Sequence, residues 1–163
     1  MVDTLSQEER SARMRAIRPH DTKPELIVRR VLREIGFPGY RLHPRNYPGK
    51  PDIAFIGRKK AIFVNGCFWH RHNCRLGQRL PKSNLSYWLP KLDRNVARDK
   101  EAFEQLMALG WDVLVLWECE VKNHEALRQA LTDFLRPPRI SGNKDSATAL
   151  NAPYDAPTSR PRP

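Results

Sequence analysis

The sequence predicts an α/β domain, a mixed β-sheet flanked by helices, and three observations carry that prediction. Apolar residues recur at helical spacing from Ile27 to Ile35. Two short apolar runs, Asp52 to Ile56 and Ala61 to Val64, flank Gly57 and Arg58 and read as a hairpin. Trp111 to Trp117 is apolar almost throughout, the pattern of a strand central in a sheet covered on both faces.

The elements follow in chain order. Ser6-Gln-Glu-Glu9 is a capping box opening a short helix to about Ile17, with Met14 and Ile17 set among three arginines. Those two apolar side chains suit either a core face or an arm that enters a DNA groove. Thr22-Lys-Pro-Glu25 is a second capping box, and its helix ends at Gly36. Tyr40 to His43 reads as a short strand, and a turn-rich loop then delivers Asp52 to the hairpin. With the hairpin centred near Arg58, Asp52 falls opposite Val64 and Asn65. Residues 76–92 read as irregular, a helix runs from Asp93 to Leu109 with Gly110 as its cap, and a last helix spans 124–135.

Composition bounds the partners. The net charge is +11 with a pI near 10.1, which favours a polyanion such as nucleic acid. Residues 71–100 concentrate the excess, eight Lys or Arg against two Asp, which makes that block a candidate binding face. Residues 1–136 are expected to form one domain. Residues 137–163, with six of the 14 prolines, are expected to be a disordered Pro-rich tail. Three cysteines, an odd number without an apolar leader, argue against a secreted disulfide framework. No apolar run approaches the ~20 residues that span a bilayer. A cytoplasmic, nucleoid-associated monomer with no membrane contact is the expectation.

Chemistry concentrates after the strand Ala61–Val64. Cys67, His72 and Cys74 supply three soft ligands on one loop, and Cys119 can supply a fourth from the end of the strand Trp111–Trp117. Cys3His is a closed tetrahedral zinc set of the structural kind. His70 is the alternative fourth ligand, but a second role suits it better. Asp52, a nearby imidazole and a basic surface suggest Mg²⁺-dependent phosphodiester cleavage, with His70 moving the proton and Asp99 orienting it.

Met14-Arg-Ala-Ile17, Pro48-Gly-Lys-Pro-Asp52, Gly66-Cys-Phe-Trp-His70, Asn95-Val-Ala-Arg-Asp99 and Gly110-Trp111 with Trp117-Glu-Cys119 together resemble the very-short-patch repair (Vsr) DNA mismatch endonucleases. The resemblance covers roughly residues 5–136. It implies a restriction-endonuclease-like fold with structural zinc, and nicking 5′ of the thymine in a T·G mismatch left by 5-methylcytosine deamination. Asp52 would then hold catalytic Mg²⁺, helped by the main-chain oxygen of Val64, and Glu25 would be an active-site acid as well as a cap. Cys67, His72, Cys74 and Cys119 match the zinc ligands. Phe68, Trp69 and Trp88 match an aromatic wedge, with Met14 and Ile17 approaching from the minor groove. Unstacking costs least at a mismatch, so a wedge favours the lesion. Phe68 alone would equally suit the core.

One position departs from the pattern. Members of the family often carry His where this chain has Asn65, a side chain that hydrogen-bonds but takes no proton at neutral pH. The implied partners are double-stranded DNA with a T·G mismatch, together with mismatch-repair and repair-synthesis proteins. The competing readings are a restriction-type endonuclease acting on undamaged sites and a non-catalytic mismatch-binding protein.

Overall fold

The computed structural model describes residues 20–136; the expected first helix with Met14 and Ile17, and the Pro-rich tail, lie outside the described residues. Helix α1 spans Lys23–Glu34, followed by strands β1 (Arg41–Leu42), β2 (Ile53–Phe55) and β3 (Lys60–Asn65). Helix α2 (Leu85–Ala108), strand β4 (Asp112–Trp117) and helix α3 (His124–Leu135) follow among the described residues. The four strands form one sheet in the order β1-β2-β3-β4, antiparallel except for the parallel pair β3–β4. The long helix α2 is the crossover that a parallel pair requires.

Period-two alternation divides the sheet into two packed faces. Ile53, Phe55, Ile62 and Leu116 face α1 and α3, meeting Val28, Val31, Leu32, Leu127, Leu131 and Leu135. Ala54, Ala61, Phe63 and Val115 turn the other way, toward Phe103 and Leu106 of α2 and toward Trp111. Strand β4 is thus covered on both faces as its composition predicts. It is nevertheless an edge strand of the described sheet, not a central one, because β3 takes the interior place.

Two expectations need correction. The hairpin register is tighter than predicted, pairing Ile53 with Ile62 and Phe55 with Lys60. A 3-10 turn over Ile56–Arg58 closes it, and the left-handed residue of the turn is Lys59 (φ 51°). Helix α2 also begins eight residues earlier than expected, at Leu85, and runs through Pro90. Proline near a helix start removes few backbone bonds, so the packing of Leu92 and the following turns outweighs its breaking tendency.

The register sets up the functional end of the sheet. Asn65 pairs with Trp117, so β3 and β4 finish level, and each delivers a cysteine two residues later: Cys67 and Cys119. β2 runs antiparallel to β3, which brings its first residues to the same end. Gly49 seals the loop before it. Its φ is +68°, and a Cβ there would stand 2.7 Å from the Ala102 Cβ.

Candidate active site and metal centre

The segment Gly66–Gly77 faces two ways. On one side the ligand atoms of Cys67, His72, Cys74 and Cys119 all lie within 4.8 Å of one another. Cys119 Sγ is 3.4 Å from His72 Nδ1, and the His72 ring stacks on Trp117 with centroids 4.2 Å apart. The loop closes at Gly77, where a Cβ would stand 2.0 Å from the His72 carbonyl oxygen, so only glycine fits.

Without a metal the thiols differ sharply. Burial pushes the Cys67 thiol up to about 12. Burial also pushes Cys74 upward, but donors from the Gly77 backbone, His72 and Cys67 outweigh it and bring that thiol down to about 6. Three sulfurs and one imidazole gathered at such distances are a donor set that could hold one metal ion, and its softness suits zinc. His70 is not part of this group.

On the other side the same strand end opens into a cleft of about 940 Å³, lined among others by Glu25, Asp52, Asn65, Trp69, His70 and Asp99. Asp52 Oδ2 accepts the Val64 N–H at 2.7 Å, so the predicted juxtaposition of Asp52 and Val64 holds although the register differs. Burial raises the Asp52 carboxyl to about 6; the Val64 N–H opposes the rise and the nearby Glu25 charge adds to it. Ionising Asp52 in the metal-free fold therefore costs ~3 kcal/mol more than in water. A cation in contact with it would offset that cost.

His70 Nδ1 meets Asp99 Oδ2 in a short contact, placing Asp99 on α2 behind the ring. With Nδ1–H donated to the carboxylate, Nε2 is left as the nitrogen able to take a proton. Asn95 Nδ2 donates to the Trp69 carbonyl oxygen at 3.2 Å, tying the loop to the same helix. Asn65 is 6% exposed and borders the cleft.

Glu25 is more occupied than predicted. It closes the capping box of α1, accepting from the Thr22 hydroxyl at 2.9 Å and from the Asp21 N–H at 3.1 Å. Arg29, one turn later and 7% exposed, donates to Glu25 at 3.2 Å and to Asp21 at 2.6 Å. Asp21, Glu25 and His43 could geometrically ligate an ion, but the Arg29 guanidinium already supplies the positive charge among them.

Beside the cleft, Phe68, Trp69, Trp88 and Tyr87 form a chain of aromatic contacts. Ring centroids are 5.1 Å apart for Phe68–Trp69, 5.9 Å for Trp69–Trp88 and 5.2 Å for Tyr87–Trp88. Lys91 Nζ lies over both Tyr87 and Trp88. Phe68 is half-buried and belongs to neither core cluster, so it is not a core residue in disguise.

Sequence reasoning missed Arg29, His43 and Tyr87. Arg29 stands four residues after Glu25, a legible pairing signal. Tyr87 was lost with the misread start of α2. For His43 no local signal exists, because pairing beside β1 brings it near Asp52, its N–H donating to the Asp52 carbonyl oxygen at 3.1 Å.

Comparison with known proteins agrees with this geometry. Residues 2–76 match the family described as DNA mismatch endonuclease Vsr. The chain is 47% identical over 137 residues to the type II nicking enzyme V.XorIIP of Xanthomonas oryzae, covering 84% of this chain and 99% of that protein. It is 40% identical to the type II nicking enzyme V.NmeAIP of Neisseria meningitidis, over 83% of this chain and 96% of that one. Identity is 38% to the DNA mismatch endonuclease Vsr of Escherichia coli, over 83% and 86% of the two chains. Likeness of this extent to nicking enzymes, together with a cleft of acidic and imidazole groups beside a basic, aromatic surface, leads to one conclusion: the chain belongs to the Vsr family of strand-nicking DNA endonucleases.

Proposed function

We propose that this endonuclease nicks duplex DNA 5′ of the thymine in a T·G mismatch, with Mg²⁺ at Asp52. The observation that carries this reading is the shared cleft, in which Asp52 and the His70–Asp99 pair face one space beside the aromatic cluster. The E. coli relative bears the name DNA mismatch endonuclease, which favours a mismatch over an undamaged site.

Asp52, with the main-chain oxygen of Val64, would hold Mg²⁺, and the raised Asp52 carboxyl suits such a role because it lacks a compensating cation. When bound, the ion would neutralise charge building on the scissile phosphate. His70 Nε2 would take a proton from the attacking water while Asp99 holds the ring and stabilises its charged form. Asn65 would orient water without exchanging protons. Phe68, Trp69 and Trp88 would enter the base stack, and Met14 and Ile17, outside the described residues, would approach from the opposite groove. Zinc at Cys67, His72, Cys74 and Cys119 would fix the loop that carries both His70 and the wedge.

A labelled duplex with one T·G pair, incubated with Mg²⁺ beside its T·A control in varied flanking contexts, tests the reading. A single nick 5′ of the mismatched thymine, absent from the control, is expected. Cleavage of both strands of the matched duplex would make the protein a restriction-type enzyme, and tight mismatch binding without a nick would make it a binding protein.

A further inference from the structure

Between Glu25 and Asp52, two of the carboxylates that line the cleft, lies His43, which no motif singles out. Its Nε2 is 3.0 Å from Arg29 Nη2 and 3.4 Å from Glu25 Oε2, and its Nδ1 is 3.7 Å from Asp52 Oδ1. His20 covers the ring from outside, with centroids 4.2 Å apart. A guanidinium has donors only, so the nitrogen facing Arg29 must accept. An imidazole accepting at Nε2 is neutral and carries its proton on Nδ1, the nitrogen turned toward Asp52. The alternative, Nε2–H donating to Glu25, would set two donors face to face at 3.0 Å.

We propose that His43 is a positioning residue for Asp52, with Arg29 setting its tautomer: Arg29 donates to Nε2, and Nδ1–H is aimed at the Asp52 oxygen that Val64 does not hold. Arg29 thereby serves both acids, anchoring Glu25 directly and Asp52 through the ring. At 3.7 Å the Nδ1 contact is longer than a formed hydrogen bond. A shift of roughly half an ångström closes it, which Asp52 can make on taking a cation. Partners of this outer kind are worth 10–100-fold in metal affinity or activity. The inference rests on Asp52 being the Mg²⁺ residue.

Two measurements on the full chain test it. Ring ¹⁵N spectra of the Mg²⁺-free protein are expected to show His43 protonated at Nδ1, and the Arg29→Met variant to lose that preference. A ring protonated at Nε2 in the unaltered protein would overturn the proposal, and this readout needs no variant to fold. Nicking measured against Mg²⁺ concentration is expected to need ~10-fold more Mg²⁺ in His43→Ala, with a smaller change in the maximal rate. His43→Asn, which keeps a donor near the Nδ1 position, should recover part of the loss. Asn no better than Ala, or an unchanged Mg²⁺ requirement in Ala, would also overturn it. Asp52→Ala is the separate control. If that variant still nicks, the metal reading itself fails; if it is inert while the ring is protonated at Nε2, only the His43 proposal fails.

Discussion

The two faces of the Gly66–Gly77 segment differ in chemistry although they share one strand end. The Cys67–His72–Cys74–Cys119 side gathers soft donors from the ends of two adjacent strands into a set whose ligand atoms lie within 4.8 Å of one another. The Asp52–His70–Asp99 side gathers oxygen and nitrogen groups from β2, the loop and α2 around open space. On the function proposed above, the first side would be a brace and the second a workplace. Placing both on one short loop means that distortion of the brace is felt by His70 within a few residues.

That contrast can be broken in order of expected effect. Asp52→Ala should lower nicking by ~10³-fold or more, because a lost cation contact costs several kcal/mol in the transition state, while mismatch binding stays. Retained nicking would remove Asp52 from its role. His70→Ala should cost about 10²–10⁴-fold with metal content at the Cys/His cluster unchanged, since His70 is outside that group; loss of zinc in this variant would merge the two faces into one site. Cys119→Ser should remove the bound zinc and at least ~2 kcal/mol of stability, visible as a melting temperature ~10 °C lower. Full zinc occupancy in that variant would refute the fourth ligand.

The remaining two effects are smaller. Trp69→Ala should weaken the preference for T·G over T·A duplex by roughly tenfold, leaving the salt-dependent binding that lysines and arginines supply. Equal loss of both would remove the wedge. Asp52 also predicts a pH effect. Its carboxyl loses its proton near 6 in the metal-free fold against 3.8 when unfolded, so the protonated form favours folding. That contribution is full below pH about 3.8 and is lost as pH rises through about 6. Without Mg²⁺, the melting temperature of Asp52→Asn relative to the unaltered protein should therefore climb across this window. A constant difference would mean that Asp52 is not strained by burial.

Much of the site was legible because short spacings survive folding. Cys67, His72 and Cys74 lie within eight residues, so a tight turn suffices to converge them. Cys119 was legible only as a cysteine at the end of a second strand, and the Asn65–Trp117 pairing brings that end level with the start of the loop. Asp52 was placed near Val64 from a hairpin whose register was misjudged, and a carboxylate long enough to reach the Val64 N–H made the error harmless. The start of α2 was not legible, because Pro90 argues locally against a helix that distant packing sustains.

The sequence by itself determined the periodicities, the caps at Thr22 and Gly110, the basic excess and the motif set that marks the family. These depend on neighbours within a turn or a strand, where backbone geometry acts without help. Tertiary structure alone decided that β4 is an edge strand of the described sheet and that His43 stands against both Arg29 and Asp52. Those contacts join residues whose meeting depends on strand pairing and helix packing, and burial strengthens them once made. No local pattern records such a meeting, because its free energy exists only after the sheet has formed.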